Sequence, residues 1–250
     1  MNEFFIANDG IRLHAKLDLP VEKKEKYPLV IIIHGFTGHM EEPHIVAVQE
    51  TVNAIGFASL RVEMYGHGQS DGDFKDHTLL KWITNAMAVT DYAKSLDFVS
   101  DLYICGHSQG GLLTMLIAGM YPDVFRGILP LSPAWMIPEQ ARRGIILGRE
   151  FDPVHLPEEI AGENFRLGPG YIRAARILHP EEQIAVYHGP VLIVHGDADE
   201  TVPVSYAFRA KELYENCRLV ILPGDTHCYD HHLADMTDAV KRFLAKVRRI

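Results

Sequence analysis

"LYICGHSQGGLLTMLIAGM", residues 102–120, decides the fold. Leu102–Cys105 read as a buried strand and Leu112–Met120 as a helix. Between them, Gly106-His107-Ser108-Gln109-Gly110 fits G-x-S-x-G, the turn that lifts a serine out at the end of a strand. Gly106 and Gly110 remove side chains that would collide where the strand folds back into the helix. Ser108 must then accept a sparsely populated backbone conformation, sustained by the packing around it. The amide of Gln109 falls at a helix N-terminus, where it points at developing negative charge. Taken alone, the same residues also fit a glycine-rich turn without chemistry, so the rest of the chain has to separate the two.

Outward from this turn, short apolar strands alternate with helical stretches. "EFFIA" and "IRLHAKLDL" flank the turn residues Asn8-Asp9-Gly10 as a hairpin. "PLVIIIHGF" reads as a fully buried strand, and "EPHIVAVQETVNAIG" as a helix ending at Gly56. The strand "FASLRVEM" and the helix "HTLLKWITNAMAVTDYAKSL" follow. Beyond the serine come the strands "FRGILPLSP", "GPVLIVHGD" and "CRLVILPG", with the helix "VSYAFRAKELYENC" before the last. "HHLADMTDAVKRFLAKVRRI" closes the chain as an amphipathic helix. The pattern predicts an α/β fold, a mostly parallel eight-stranded sheet with helices on both faces. Chemistry is then expected at the carboxyl ends of the strands. One connection, residues 134–188, is far longer than the usual loop of about 2–6 residues. It holds Trp135, Phe165 and Tyr171, and reads as a folded cap inserted after the sixth strand. The core is expected at 1–133 and 189–250.

Composition limits the function. The chain has 250 residues, is 47% hydrophobic and carries a formal charge of −9, which argues against nucleic acid or an anionic membrane as partner. Its N-terminus lacks a basic region followed by a sustained apolar stretch, so no signal peptide is expected and a cytoplasmic protein is. Cys105, Cys217 and Cys228 show no metal spacing and read as reduced thiols. A homodimer is compatible with all of this.

A serine hydroxyl is a poor nucleophile until a base takes its proton. Behind an elbow of this kind the partners follow in the order serine, acid, histidine. "HGDADETVP", residues 195–203, follows the seventh strand, and "PGDTHCYD", residues 223–230, follows the eighth. Both fall at the rim of the sheet that carries Ser108, and they supply Asp199 as acid and His227 as base. "HCYDHH", residues 227–232, spaces His227 and His231 four apart, but no third ligand joins them, and no metal or cofactor is expected.

These motifs resemble the α/β-hydrolase superfamily along nearly the whole chain outside the cap. "HGFTG", residues 34–38, is similar to the family's oxyanion loop, which implies backbone N–H donors at Phe36 and Gln109. His34 is read as bracing that loop by hydrogen bonding, and it stands as well among the candidates at the substrate pocket. "GHGQSDG", residues 66–72, is similar to the segment after the fourth strand, with Glu63 where the family usually has aspartate. In G-x-x-D-x-x-V-P the family's acid falls on Asp199, and Asp197 remains the second candidate. The resemblance therefore implies two-step acyl transfer to water, with a small-molecule ester as partner.

With a cap of this length, the chain most resembles bacterial cinnamoyl (feruloyl) esterases, which release hydroxycinnamic acids from plant-derived esters. "RLGPGYIRAARIL" puts Tyr171 where that group has a tyrosine near the phenol ring. Two readings of Tyr171 stand, a phenol contact and a packing residue; Trp135 lines the pocket or, more simply, anchors the cap. The alternatives are a general short-chain carboxylesterase or monoacylglycerol-type lipase with the same triad, and a non-catalytic hydrolase-fold binding protein, which an intact triad disfavours.

Overall fold

The computed structural model describes residues 2–248. The chain opens on the expected hairpin, β1 (Asn2–Asn8) against β2 (Ile11–Asp18), antiparallel and in register from Asn2↔Leu17 to Asn8↔Ile11. Asp9 and Gly10 both take positive φ, 48° and 81°. That is the two-residue turn whose twist matches the flanking strands. β3 (Tyr27–Ile33), β4 (Ala58–Val62), β5 (Val99–His107), β6 (Phe125–Leu131), β7 (Val191–Gly196) and β8 (Cys217–Leu222) complete an eight-stranded sheet. Its order is β1-β2-β4-β3-β5-β6-β7-β8, and every pair from β4 onward is parallel. The expected mostly parallel eight-stranded sheet is what forms.

Period-two alternation explains why the central strands read as unbroken apolar runs. Leu29, Ile31 and Ile33 of β3 enter the core on one face, while Val30 and Ile32 enter the core on the other. α1 (Pro43–Ala54) and α8 (Leu233–Val247) cover the second face and pack on each other. In α8 the stripe Met236, Val240, Phe243, Leu244 and Val247 is buried, as an amphipathic helix requires. Residues 249 and 250 of the expected terminal helix lie outside the described residues. α2 (Leu79–Lys94) and α3 (Gln109–Met120) cover the first face.

Between β6 and β7 the chain builds α4 (Ile137–Arg142), α5 (Pro169–Arg176), α6 (Pro180–Val186) and two small ladders. Ile145–Ile146 pair with Arg149–Glu150, and Ile160–Ala161 pair with Arg166–Leu167. Ile146, Ile160, Leu167, Tyr171 and Ile172 are buried in the same core as the first face. α6 packs on α3, and Gly119 of α3 lies so close that a Cβ there would come within 2.5 Å of the Gln183 carbonyl oxygen. α7 (Ser205–Leu213) lies along β7 and β8.

The strand order reverses at β3, whose neighbours are β4 on one side and β5 on the other. The loops leaving β3 and β5 therefore emerge side by side at the carboxyl edge, where a crevice opens in such sheets. That places "HGFTG" beside Ser108.

Candidate active site

Ser108 follows β5 directly and has φ 56° and ψ −116°, a conformation that costs a non-glycine residue about 1–3 kcal/mol. The surroundings hold it there. Its N–H donates to the Leu131 carbonyl (2.9 Å), and its own carbonyl accepts from Leu112 (3.0 Å) and Ala134 (2.9 Å). The flanking glycines are required: a Cβ on Gly106 would sit 2.1 Å from the Gly110 carbonyl oxygen, and one on Gly110 would sit 2.5 Å from that of His34. The packing that sustains the turn leaves no room for a methyl group on either side.

The loop after β3 closes against this elbow. Gly35 is so near that a Cβ on it would lie 3.2 Å from Cβ of Ser108. His34, fully buried, donates from Nδ1 to the Gly35 carbonyl (2.7 Å) and accepts the Met64 N–H at Nε2 (3.1 Å). Burial keeps its ring neutral by pushing its pKa well below the ordinary value. Those bonds tie the loop to the strand end and to the Met64 backbone. Glu63 supports the neighbouring turn, accepting the Gln69 N–H (2.7 Å) and facing His14 Nδ1 (2.8 Å). A carboxylate is kept at that position, one methylene longer than the family's usual aspartate.

His227 and Asp199 lie together at the rim of the sheet. His227 Nδ1 lies 2.7 Å from Asp199 Oδ2. A carboxylate accepts, so Nδ1 carries the proton and Nε2 keeps its lone pair for a hydroxyl. Asp199 Oδ1 accepts the N–H groups of Thr201 and Val202, each at 2.8 Å. His195, at the end of β7 and fully buried, reaches Oδ2 at 3.1 Å. Burial by itself would raise the Asp199 carboxyl, but the hydrogen bonds from His195 and His227 overcome it and hold the group well below the usual carboxylate range. Asp197 is engaged elsewhere, accepting the Gly224 N–H at 2.6 Å.

Two supports went unrecognised in the sequence. His195 is the first letter of "HGDADETVP", four residues before Asp199, and its position at a strand end was the available signal. Tyr229, at φ 64°, clamps the His227 loop: its hydroxyl donates to the Val194 carbonyl (3.0 Å) and accepts from Ser132 Oγ (2.9 Å). Nothing local in "THCYD" announces that bond.

A cavity of about 390 Å³ opens over Ser108. Phe36, Leu147, Arg149, Phe165 and His227 share its wall with the serine. Phe36 and Phe165 meet edge to face, centroids 5.1 Å apart. The three residues expected as pocket candidates lie outside this lining. His34 is the brace just described. Trp135 donates from Nε1 to the Tyr206 carbonyl (2.9 Å) and packs against the Tyr206 ring, which makes it an anchor. Tyr171 is buried, with its hydroxyl on Gln109 Oε1 at 2.5 Å. The Tyr171 hydroxyl donates to Gln109, while His34 and Trp135 spend a ring N–H each on a backbone carbonyl. Among the described residues no group of three or more His, Cys, Asp or Glu side chains is placed to hold a metal ion.

A family model described as serine aminopeptidase, S33 matches residues 24–157, more than half the chain. The chain belongs to this family, among the serine esterases of the α/β-hydrolase fold. It is similar to Est1E from Butyrivibrio proteoclasticus, solved with ferulic acid bound, at 56% identity and a TM-score of 0.98, over 99% of this chain and 100% of that one. A second Est1E structure matches at 52% identity and a TM-score of 0.95, covering both chains completely. The mitochondrial palmitoyl-protein thioesterase ABHD10 of Mus musculus is 27% identical over 192 residues, 72% of this chain. The chain spans 61% of that curated relative's length. No helix among the described residues is long and apolar enough to cross a membrane.

Proposed function

We propose that this chain hydrolyses esters of hydroxycinnamic acids, releasing ferulate-type acids through an acyl-enzyme on Ser108. The observation that carries this reading is the full-length likeness to Est1E, a protein solved with ferulic acid bound. The cavity wall supports it. An aromatic acid is flat, and the Phe36–Phe165 corner beside Ser108 offers it ring edges and faces at a pair geometry that favours stacking.

In this reading His227 Nε2 takes the Ser108 proton as Oγ attacks the ester carbonyl, and Asp199 holds the imidazolium that forms. The N–H groups of Phe36 and Gln109 receive the oxyanion; loss of one such donor costs roughly 10²–10³ in rate. The His227 proton then goes to the leaving alcohol, and the freed base activates water against the acyl-enzyme. No cofactor enters this scheme. Residues 134–188 act as a cap over a core of 1–133 and 189–250, supported by Leu147, Arg149 and Phe165 in the cavity wall. Three unpaired cysteines support a cytoplasmic setting.

The test is kcat/KM for methyl ferulate against ethyl butyrate, with Ser108→Ala as blank. Preference for ferulate is expected. Preference for butyrate would retire the aromatic assignment in favour of a general short-chain carboxylesterase, and turnover by Ser108→Ala would sink the serine mechanism.

A further inference from the structure

Tyr171 stands on α5, in the segment between β6 and β7, yet its hydroxyl reaches the elbow and its ring meets both the loop beside it and His77. Its hydroxyl donates to Gln109 Oε1 at 2.5 Å. Its ring meets the Phe36 ring edge to face, centroids 5.8 Å apart at 79°. Gln109 and Phe36 are the two residues whose backbone N–H groups receive the oxyanion in the reading above. Tyr171 is 1% exposed and Gln109 is fully buried. One side chain of the inserted segment therefore touches the side chains of both residues.

We propose that Tyr171 is a positioning residue for the oxyanion hole, a strut from the inserted segment to the backbone of Gln109 and Phe36. The inference rests on the serine-esterase reading and assigns the segment a part in the chemistry besides enclosing substrate. Gln109 opens α3, where the first N–H groups have no partner inside the helix. Its side chain is the handle by which that first turn is held. The bond joins residues 62 apart in sequence, so loosening α5 loosens the donor. Placement matters at this scale, because a misplacement of about 1 Å costs on the order of 10²-fold in rate. The phenol stays protonated and donating, since burial pushes its pKa far up.

A contact to the substrate's ring hydroxyl makes a different prediction. Tyr171→Phe deletes one oxygen and keeps the ring, so kcat and KM are measured on methyl ferulate and on methyl cinnamate, which has no ring hydroxyl. The strut predicts a fall in kcat of roughly tenfold on both esters, with KM within about twofold. Affinity for phenylboronic acid, whose boron becomes tetrahedral on the serine oxygen, should fall by a similar factor while affinity for free ferulate holds. Unchanged kcat overturns the proposal. So does a loss confined to methyl ferulate with raised KM.

Gln109→Leu keeps the backbone N–H and removes the handle, so it should show the same loss if Tyr171→Phe folds poorly. In the double variant, Tyr171→Phe should add nothing further; additive losses overturn the coupling. Ser108→Ala separates the two failures. If it stays active, the serine reading has fallen; if it is inactive while Tyr171→Phe runs at full rate, only the strut has.

Discussion

His107 donates from Nε2 to the backbone carbonyl of His227 across 2.8 Å. The side chain next to Ser108 thus holds the loop that carries His227, and the two histidine rings lie 4.6 Å apart. His107 is 3% exposed, and burial keeps it neutral by pushing its pKa well below the ordinary value. With the proton on Nε2, the elbow and the His227 loop form one hydrogen-bonded unit. The position is the variable letter of G-x-S-x-G, yet here it couples the Ser108 turn to the loop of His227.

His107→Phe retains a planar ring and deletes the donor. The expected result is a fall in kcat of about tenfold, because the His227 loop loses its anchor; His107 also borders the cavity, so KM is read beside kcat. His107→Gln supplies an N–H at similar reach and should recover part of the rate. Steady-state kinetics on methyl ferulate reads both; full activity in His107→Phe would show that the bond is incidental.

Asp199→Asn should be far more damaging than Asp197→Asn. Asp199 takes the His227 proton side at 2.7 Å and a second hydrogen bond from His195, whereas Asp197 only ties Gly224. An amide that offers its oxygen to the histidines turns its NH2 toward the Thr201 and Val202 N–H donors, and without the negative charge it leaves the imidazolium of the proposed transition state uncompensated. The same substitution lowers kcat by roughly 10⁴ in a comparable triad. Asp197→Asn should stay within severalfold of the parent. The reverse order in kcat/KM would move the acid to Asp197.

The legible parts of this molecule are those with short-range signatures. Buried strands announce themselves as apolar runs such as "PLVIII", and the elbow needs only five consecutive residues. Asp199 and His227 were readable because each follows a strand end, and parallel strands bring their carboxyl ends to one rim. Tyr171, Trp135 and Tyr229 were not readable in the same way. Their hydrogen bonds reach Gln109, Tyr206 and Val194, residues 62, 71 and 35 away, and no periodicity encodes such distances. The ladders at 145–150 and 160–167 escaped for another reason. Strands of two residues are too short to show alternation, and the turn Leu147-Gly148 has an ordinary-looking leucine at φ 48°. The residues that wall the cavity opposite Phe36 come from these stretches, which is why the site's chemistry was easier to read than its pocket.

The protein should lose stability on mild acidification, and His44 is the residue on which to measure it. Burial lowers its pKa from 6.5 to about 4, and lowers that of His77 to about 3. His44 packs on His107 with centroids 4.1 Å apart, beside Glu42 at 3.8 Å, with Asp230 and His227 also acting on it. The sign follows from proton counts. Between the unfolded and folded values the unfolded chain binds a proton that the native state refuses, so stability falls as pH falls from 6.5 toward about 4. Each such group contributes a slope of about 1.4 kcal/mol per pH unit inside its window. Urea midpoints taken from about pH 7 down to about pH 5 stay above the range where most carboxylates titrate, so the buried histidines dominate the slope. His44→Phe keeps an aromatic ring of similar shape and cannot titrate. Its stability should decline less steeply over that interval, by roughly one proton's worth of slope. A variant with the parent's slope would show that His44 is protonated in the folded protein without penalty, and that burial does not set its charge.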